Sequence, residues 1–319
     1  MIASNLEVFL RAFSRPMQTP VLRHLPASSF GCARSGDSEV LSERFTMYEI
    51  KCDTHTHTLY SRHAFSTIAE NVKEAADTGL ELLGSTDHFS AMLWPDYENA
   101  KNYQYLANTP ATWPRTWMGV TLLAGCEVDI VGLDGALFGE DIPNTTSIVG
   151  DAYKEPTTLY EHTTRQMDYV IASVHGKSFI GDASRTTLTD MYIKALSKPK
   201  VFILGHVGRT GLDVDYRALA EAAKAMHKCL EVNEHSFGFP WSGGVNKDRC
   251  RQILAACADV GCQITIATDA HIAPHIGKFE ETKKLLTEVG FPEELIASRD
   301  RQSFLSALKE SGVKDLLTK

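Results

Sequence analysis

The sequence predicts an α/β fold built on a parallel sheet and carried by one large domain. Three observations lead there. From residue 48 onward, short apolar runs alternate with helical patterns of about ten to fifteen residues, the signature of repeated βα units. The chain has 319 residues, 43% of them hydrophobic, enough to bury a full core and to hold one α/β barrel of about 250 residues. Histidines and carboxylates recur just after the apolar runs, with the period of the βα unit.

Seven runs read as strands: Tyr48–Thr54, Glu81–Ser85, Val120–Ala124, Tyr169–Ser173, Val201–Leu204, Cys229–Val232 and Gln263–Ala267. Helical patterns fall between them near Thr67–Asp77, Thr157–Met167, Leu188–Ser197, Val214–His227, Lys247–Val260 and Phe279–Val289, and a last helix near Ser303–Glu310 closes the chain. Ser66 before Thr67, with Glu70 further in, marks a helix start, because a hydroxyl there satisfies an orphan amide of the first turn. Gly79, Gly261 and Gly290 stand just past helix ends, where a left-handed backbone suits glycine. Leu133-Asp134-Gly135 within Val128–Phe138 predicts a hairpin. The stretch from Phe89 to Gly119 shows no clear period, carries Trp94, Trp113 and Trp117, and reads as a lid or pocket wall.

A net charge of −8 and a pI near 5.8, with no block of like charge, argue against nucleic acid or a membrane surface as partner. No apolar run reaches the length of a membrane span, and no signal peptide is evident. Cys32, Cys52, Cys126, Cys229, Cys250, Cys257 and Cys262 form an odd set without a CxxC, which predicts buried free thiols and a reducing, cytoplasmic location. Residues 1–46 differ from the rest: Arg11, Arg15, Arg23, Arg34 and Arg44, no lysine, and weak periodicity after Leu10. They read as an extension ahead of a domain spanning 47–319, whether a poorly ordered tail, an upstream start before Met47, or a targeting segment with Glu7 as the sole acid of its first 36 residues.

The chemistry lies at the strand ends. His55 and His57, Asp87 and His88, Glu127, His175, His206, and Asp269 with His271 each follow an apolar run, and His63 lies on the first loop. In a parallel barrel all C-terminal strand ends share one face, where barrel active sites are built, so residues far apart in sequence converge. Asp53-Thr54-His55-Thr56-His57 opens the set, and strand alternation predicts that Asp53, His55 and His57 share one side. Imidazole with carboxylate suits zinc, manganese or iron, whereas calcium and magnesium prefer oxygen alone. Nine ligands exceed the bonds of one ion. Two or three divalent ions are expected, zinc first, with Glu127 able to bridge two of them around a hydroxide that serves as nucleophile. No GxSxG elbow supports a serine nucleophile, and Gly205-His206-Val207-Gly208-Arg209 lacks the ending of a P-loop.

At these residues the chain resembles the PHP (polymerase and histidinol phosphatase) family of metal-dependent phosphoesterases, in particular its YcdX-type phosphatases. The resemblance covers roughly residues 47–312. It rests on Asp53-Thr-His-Thr-His57 with Ser61-Arg-His-Ala-Phe-Ser66, Ser85-Thr-Asp-His88, Gly125-Cys-Glu127, Ala172-Ser-Val-His175, Gly205-His206 and Thr268-Asp-Ala-His271. It implies a distorted (β/α)7 barrel of the PHP type holding three metals. By analogy His55, His57, Glu127 and Asp269 would hold the first. Glu127 would bridge to a second held also by His175 and His206, and His63, His88 and His271 would hold the third.

The expected reaction is hydrolysis of a small phosphate monoester through a metal-bridging hydroxide. Arg209 and Lys177 are the leading candidates for a cation that holds the phosphate, with Arg62 third. Asp87 and Asp53 are expected to orient ligands. His235 and His275, on loops after the sixth and seventh strands, are candidates for protonating the leaving alkoxide, His235 first. Two alternatives remain. One is an amidohydrolase-like C–N hydrolase, disfavoured because Glu127 stands where such barrels commonly use a carbamylated lysine. The other is a regulatory binding module. Histidinol phosphate, a nucleotide or a sugar phosphate would suit the same core, with the choice assigned to the Phe89–Gly119 insert.

Overall fold

The computed structural model describes residues 48–238 and 245–317, and the extension read at residues 1–46 lies outside the described residues. The βα alternation appears as seven parallel strands: β1 (Cys52–Thr56), β2 (Leu82–Ser85), β3 (Val120–Asp129), β4 (Tyr169–Ser173), β5 (Val201–Leu204), β6 (Cys229–Asn233) and β7 (Ile264–Ala267). They pair in chain order. The ring is nearly closed: just past the strand ends, His57 N–H donates to Ala270 O at 2.9 Å and Asp269 N–H donates to His55 O at 2.8 Å. The result is a distorted (β/α)7 barrel whose seam between β1 and β7 is held by few hydrogen bonds.

Helices cover the outside: α1 (Ile68–Asp77), α2 (Gln104–Thr112), α3 (Leu159–Thr164), α4 (Arg185–Ser197), α5 (Val207–Thr210), α6 (Tyr216–Ala225), α7 (Val245–Val260), α8 (Glu280–Val289) and α9 (Arg301–Glu310). β2, β4 and β5 are buried throughout, as a parallel sheet covered on both faces requires. α9 plugs the N-terminal end of the barrel, where the Phe304 ring lies 5.6 Å from both Tyr169 and Phe202. That leaves the C-terminal end open for chemistry. Among the described residues no helix is long and apolar enough to cross a membrane, and the six described cysteines are buried free thiols.

Several local expectations shift. The cap of α1 is Thr67, whose hydroxyl accepts from Glu70 N–H in a full capping box, while Ser66 Oγ accepts from Ala273 N–H and ties the first loop to the last. The helix expected at Thr157–Met167 is only α3, because Ala152–Thr158 pairs as a strand with Pro143–Thr146. β3 runs five residues past its apolar run to Asp129, carrying Glu127 inside a strand instead of beyond it. The aperiodic segment after Phe89 contains α2, with Pro110 inside it. The hairpin around Gly135 is present, with Ile130 opposite Leu137 and Gly135 at φ +79°.

Candidate metal centre

The nine residues expected as ligands meet at the open end. Glu127 is the hub and is fully buried. Its Oε1 lies 2.7 Å from His206 Nε2 and 3.4 Å from His175 Nε2. Its Oε2 lies 2.9 Å from His88 Nδ1, 3.3 Å from His55 Nε2 and 3.7 Å from His57 Nε2. Asp269 Oδ1 forms a second focus, 2.9 Å from His57 Nε2, 3.6 Å from His55 Nε2 and 3.6 Å from His271 Nδ1. His63 completes the set, with its Nε2 3.2 Å from His88 Nε2. His57, His88 and His271 share one group of potential ligand atoms, His55, His57 and Glu127 another, and His88, Glu127 and His175 a third, each within 4.8 Å.

Proton placement decides what this cluster can hold. A carboxylate or carbonyl oxygen only accepts, so a ring nitrogen bonded to one must carry the hydrogen. His55 Nδ1 donates to Glu231 Oε1 at 2.8 Å, His175 Nδ1 to Asp129 Oδ1 at 2.7 Å, and His271 Nδ1 to Asp269 O at 2.9 Å. His57 Nδ1 sits 3.1 Å from Ser61 Oγ. Ser61 spends its own hydrogen on Asp87 Oδ1 at 2.7 Å, so it too must accept. In the neutral form His55, His57 and His175 therefore direct Nε2, the ring's lone-pair nitrogen, toward Glu127.

There the Nε2 atoms of His55 and His57 face carboxylates. His55 Nε2, His57 Nε2, His88 Nδ1, Glu127 Oε2 and Asp269 Oδ1 are all buried without a hydrogen-bond partner. Such a crowd of acceptors is costly unless something positive lies between them. The donor set of nitrogen and oxygen without sulfur fits a borderline divalent ion.

The titration directions divide the set. Burial, then the neighbouring His88 and His271, drives His63 down to about 4, and burial with the Arg209 guanidinium drives His206 to about 4. His57 is held well below the ordinary histidine value by burial and His88. These rings stay neutral at physiological pH, the form that ligates. Burial also opposes charge on His55, but Glu231, Glu127 and Asp269 outweigh it and hold its pKa well above the ordinary value. His175 is likewise lifted to about 10 against burial by Glu127 and Asp129.

The expected supporting residues land in different places. Asp87 accepts from Thr58 N–H, Thr58 Oγ1 and Ser61 Oγ, so it acts on His57 through Ser61. Asp53 points away from the centre. Its carboxylate takes Thr268 N–H at 3.0 Å, Thr268 Oγ1 at 2.5 Å and Gly277 N–H at 3.1 Å. The β1–β2 pairing also shifts register between Asp53 and Thr56.

Arg209 Nη1 donates to Asp269 Oδ2 at 2.8 Å. Together with His63, His88, His175, His235, His271, Phe65 and Met92 it lines a cleft of about 530 Å³ above the cluster. The Lys177 ammonium is turned to Thr210 O at the end of α5 and does not line that cleft. Arg62 donates to Leu93 O at 2.6 Å and lies over the Trp94 ring. His275 lines a neighbouring cavity of about 340 Å³ that shares His235. Of the Phe89–Gly119 insert only Met92 reaches the cleft wall, so the insert is chiefly a packed cover.

Two functional carboxylates escape sequence reasoning. Glu231 accepts from His55 Nδ1 and also from the His206 amide at 2.7 Å. Asp129 holds His175. A charged residue in the middle of an apolar strand, Cys229-Leu-Glu-Val-Asn233, was the available signal for Glu231. Nothing in the sequence marks the left-handed backbones of His206 (φ +29°) and Asp269 (φ +54°), conformations that cluster at functional sites.

Comparison with known proteins places this geometry. The PHP domain model matches residues 53–237. A probable phosphatase of Clostridium botulinum (strain Langeland) is 34% identical over 265 residues, covering 83% of this chain and 97% of that one. A probable phosphatase of Aeromonas hydrophila subsp. hydrophila is 31% identical over 260 residues, covering 82% and 94%. Among solved structures, the histidinol phosphate phosphatase of Lactococcus lactis, crystallised with zinc, L-histidinol and phosphate, is similar with a TM-score of 0.45 and 17% identity over 76% of this chain and 94% of that one. With a family match over more than half of its length and relatives above 30% identity along most of it, the chain belongs to the PHP domain family.

Proposed function

We propose that the protein is a metal-dependent phosphatase that hydrolyses a small phosphate monoester at a multinuclear centre. The observation that carries this reading is the set of inward lone pairs around Glu127, with Arg209 beside it in the same cleft. Both relatives described above bear the name probable phosphatase. His55, His57, Glu127 and Asp269 would hold one ion, Glu127 with His175 and His206 a second, and His63, His88 and His271 a third. The two oxygens of Glu127 support a bridging role, because Oε1 faces His175 and His206 while Oε2 faces His55 and His57, with His88 of the third group nearest to it. Zinc comes first by ligand type, with manganese or iron as alternatives. Bound ions supply charge to the phosphoryl oxygens and lower the pKa of water toward neutrality.

The chain's own residues do the rest. Glu231, Asp129 and Ser61 fix the tautomers of His55, His175 and His57, so little reorganisation is needed when substrate arrives. Arg209, bonded to Asp269 and lining the cleft, would supply a planar cation suited to a phosphoryl oxygen. His235 stands on the cleft wall with its ring 5.8 Å from that of His271. Burial lowers its pKa, and it is the candidate for protonating the leaving alkoxide.

The test is a phosphate-release screen over monoesters and diesters, with and without chelator. Release from monoesters that is abolished by chelator and restored by zinc, manganese or iron is expected. Absence of release from every ester under all metal conditions would overturn the reading.

A further inference from the structure

The cleft is two-sided in character. Its deep wall is built of imidazoles, Asp269 and Arg209, whereas its rim carries Phe65 and Met92. Both rim side chains are unusually open for their size: Phe65 is 70% exposed and Met92 44%. An exposed benzyl group costs hydration free energy with no return in packing, and the backbone that carries this one is held. Phe65 N–H donates to His271 O at 2.7 Å, and its loop is fastened to the insert by Arg62, which bonds Leu93 O and covers Trp94. Phe65 is thus a preorganised apolar surface, anchored through the backbone to a residue of the metal cluster.

A phosphoryl group occupies only a small part of a cleft of this size, which is in the range that encloses a whole small molecule. The remaining space is bounded by the rim. We propose that the physiological substrate is a phosphate ester whose alcohol portion carries a flat, apolar body that packs between Phe65 and Met92, making these two side chains the specificity determinants of the site. This rests on the phosphatase reading above. The competing location for the alcohol portion is the adjoining cavity lined by Phe237, Lys278, Glu280 and Glu281, whose acids would instead select a cationic group. The rim is favoured because it shares one cleft with Arg209 and the cluster.

The test compares phenethyl phosphate, ethyl phosphate and aminoethyl phosphate, all esters of primary alcohols, so that leaving-group chemistry stays close while the body changes. The wild-type enzyme is expected to favour phenethyl over ethyl phosphate in kcat/KM by about tenfold or more, the scale at which apolar contacts discriminate. The Phe65→Ala and Met92→Ala variants should lose most of that ratio through KM for phenethyl phosphate, and Phe65→Tyr should retain it. Binding of phenethylphosphonate, which cannot be hydrolysed, is measured by calorimetry in parallel and should weaken in Phe65→Ala. Equal rates on phenethyl and ethyl phosphate, or a preference for aminoethyl phosphate that Glu280→Gln and Glu281→Gln remove, would overturn the proposal and leave the phosphatase reading standing. Phosphonate binding that depends on Phe65 without hydrolysis of any ester would support the subsite while the phosphatase reading fails.

Discussion

Glu231 Oε1 accepts a hydrogen bond from His55 Nδ1 at 2.8 Å, and its other oxygen accepts from the His206 amide at 2.7 Å. One buried carboxylate thereby orients an imidazole on β1 and pins the strained backbone at the start of α5. Removing an oxygen that fixes the tautomer of a ligating histidine costs metal affinity by about 10–100-fold. Glu231→Gln is therefore expected to bind its ions about 10–100-fold more weakly while its circular dichroism spectrum stays unchanged. Chelator competition on the purified variant checks this.

Most of the centre was legible because its ligands sit at the ends of apolar runs, so that strand periodicity and residue chemistry point to the same place. What was not legible depends on backbone detail. The register shift between Asp53 and Thr56 has no sequence mark, nor do the bonds that commit the Asp53 carboxylate to Thr268 and Gly277. β3 read as ending at Ala124 because Gly125-Cys126-Glu127 interrupts its apolar pattern, which hid Asp129 as a strand residue. Lys177 sits close in sequence to His175, yet its long side chain reaches the α5 carbonyl end, where a cation is favoured.

The barrel interior requires glycine at one position beside β1. A Cβ on Gly84 would stand 1.9 Å from the Tyr169 hydroxyl and 3.0 Å from Thr54 O, and that hydroxyl donates to Thr54 O at 2.6 Å. Gly84→Ala should destabilise the protein by about 1–3 kcal/mol, the usual cost of overpacking a core. In a Tyr169→Phe background the same substitution should cost at least about 1 kcal/mol less, since the clashing oxygen is gone. Urea unfolding of the four proteins gives the coupling.

Far from the metal cluster, Lys228 is only 6% exposed and donates to Leu196 O at 2.6 Å and Lys198 O at 2.8 Å. Burial pushes its pKa down to about 8, against about 10.4 in an unfolded chain. Between these values the unfolded state binds more protons than the folded one, so this lysine's contribution makes stability rise as pH climbs from about 8 to about 10.4. The expected gain is at most about 3 kcal/mol. Lys228→Met should flatten the rise, measured as the difference between wild-type and variant urea midpoints across that window.

Arg209 bonds Asp269 and lines the cleft. Replacing it by alanine should lower kcat/KM by about 10²–10³-fold, the scale of losing one charged donor to a developing oxyanion. Arg209→Lys should restore only part of the loss, because a point charge lacks the planar fork. Metal content should hold in both variants, which separates a role toward substrate from a role in assembling the centre.

The central claim is that Glu127 joins two groups of inward lone pairs into one multinuclear centre. Elemental analysis of purified wild-type protein and Glu127→Gln tests it most directly. The account predicts at least two divalent ions per wild-type chain, and loss of at least one of them in the variant, whose fold is kept. Fewer than two ions in the wild type under metal-replete conditions, or an unchanged count in Glu127→Gln, would contradict it.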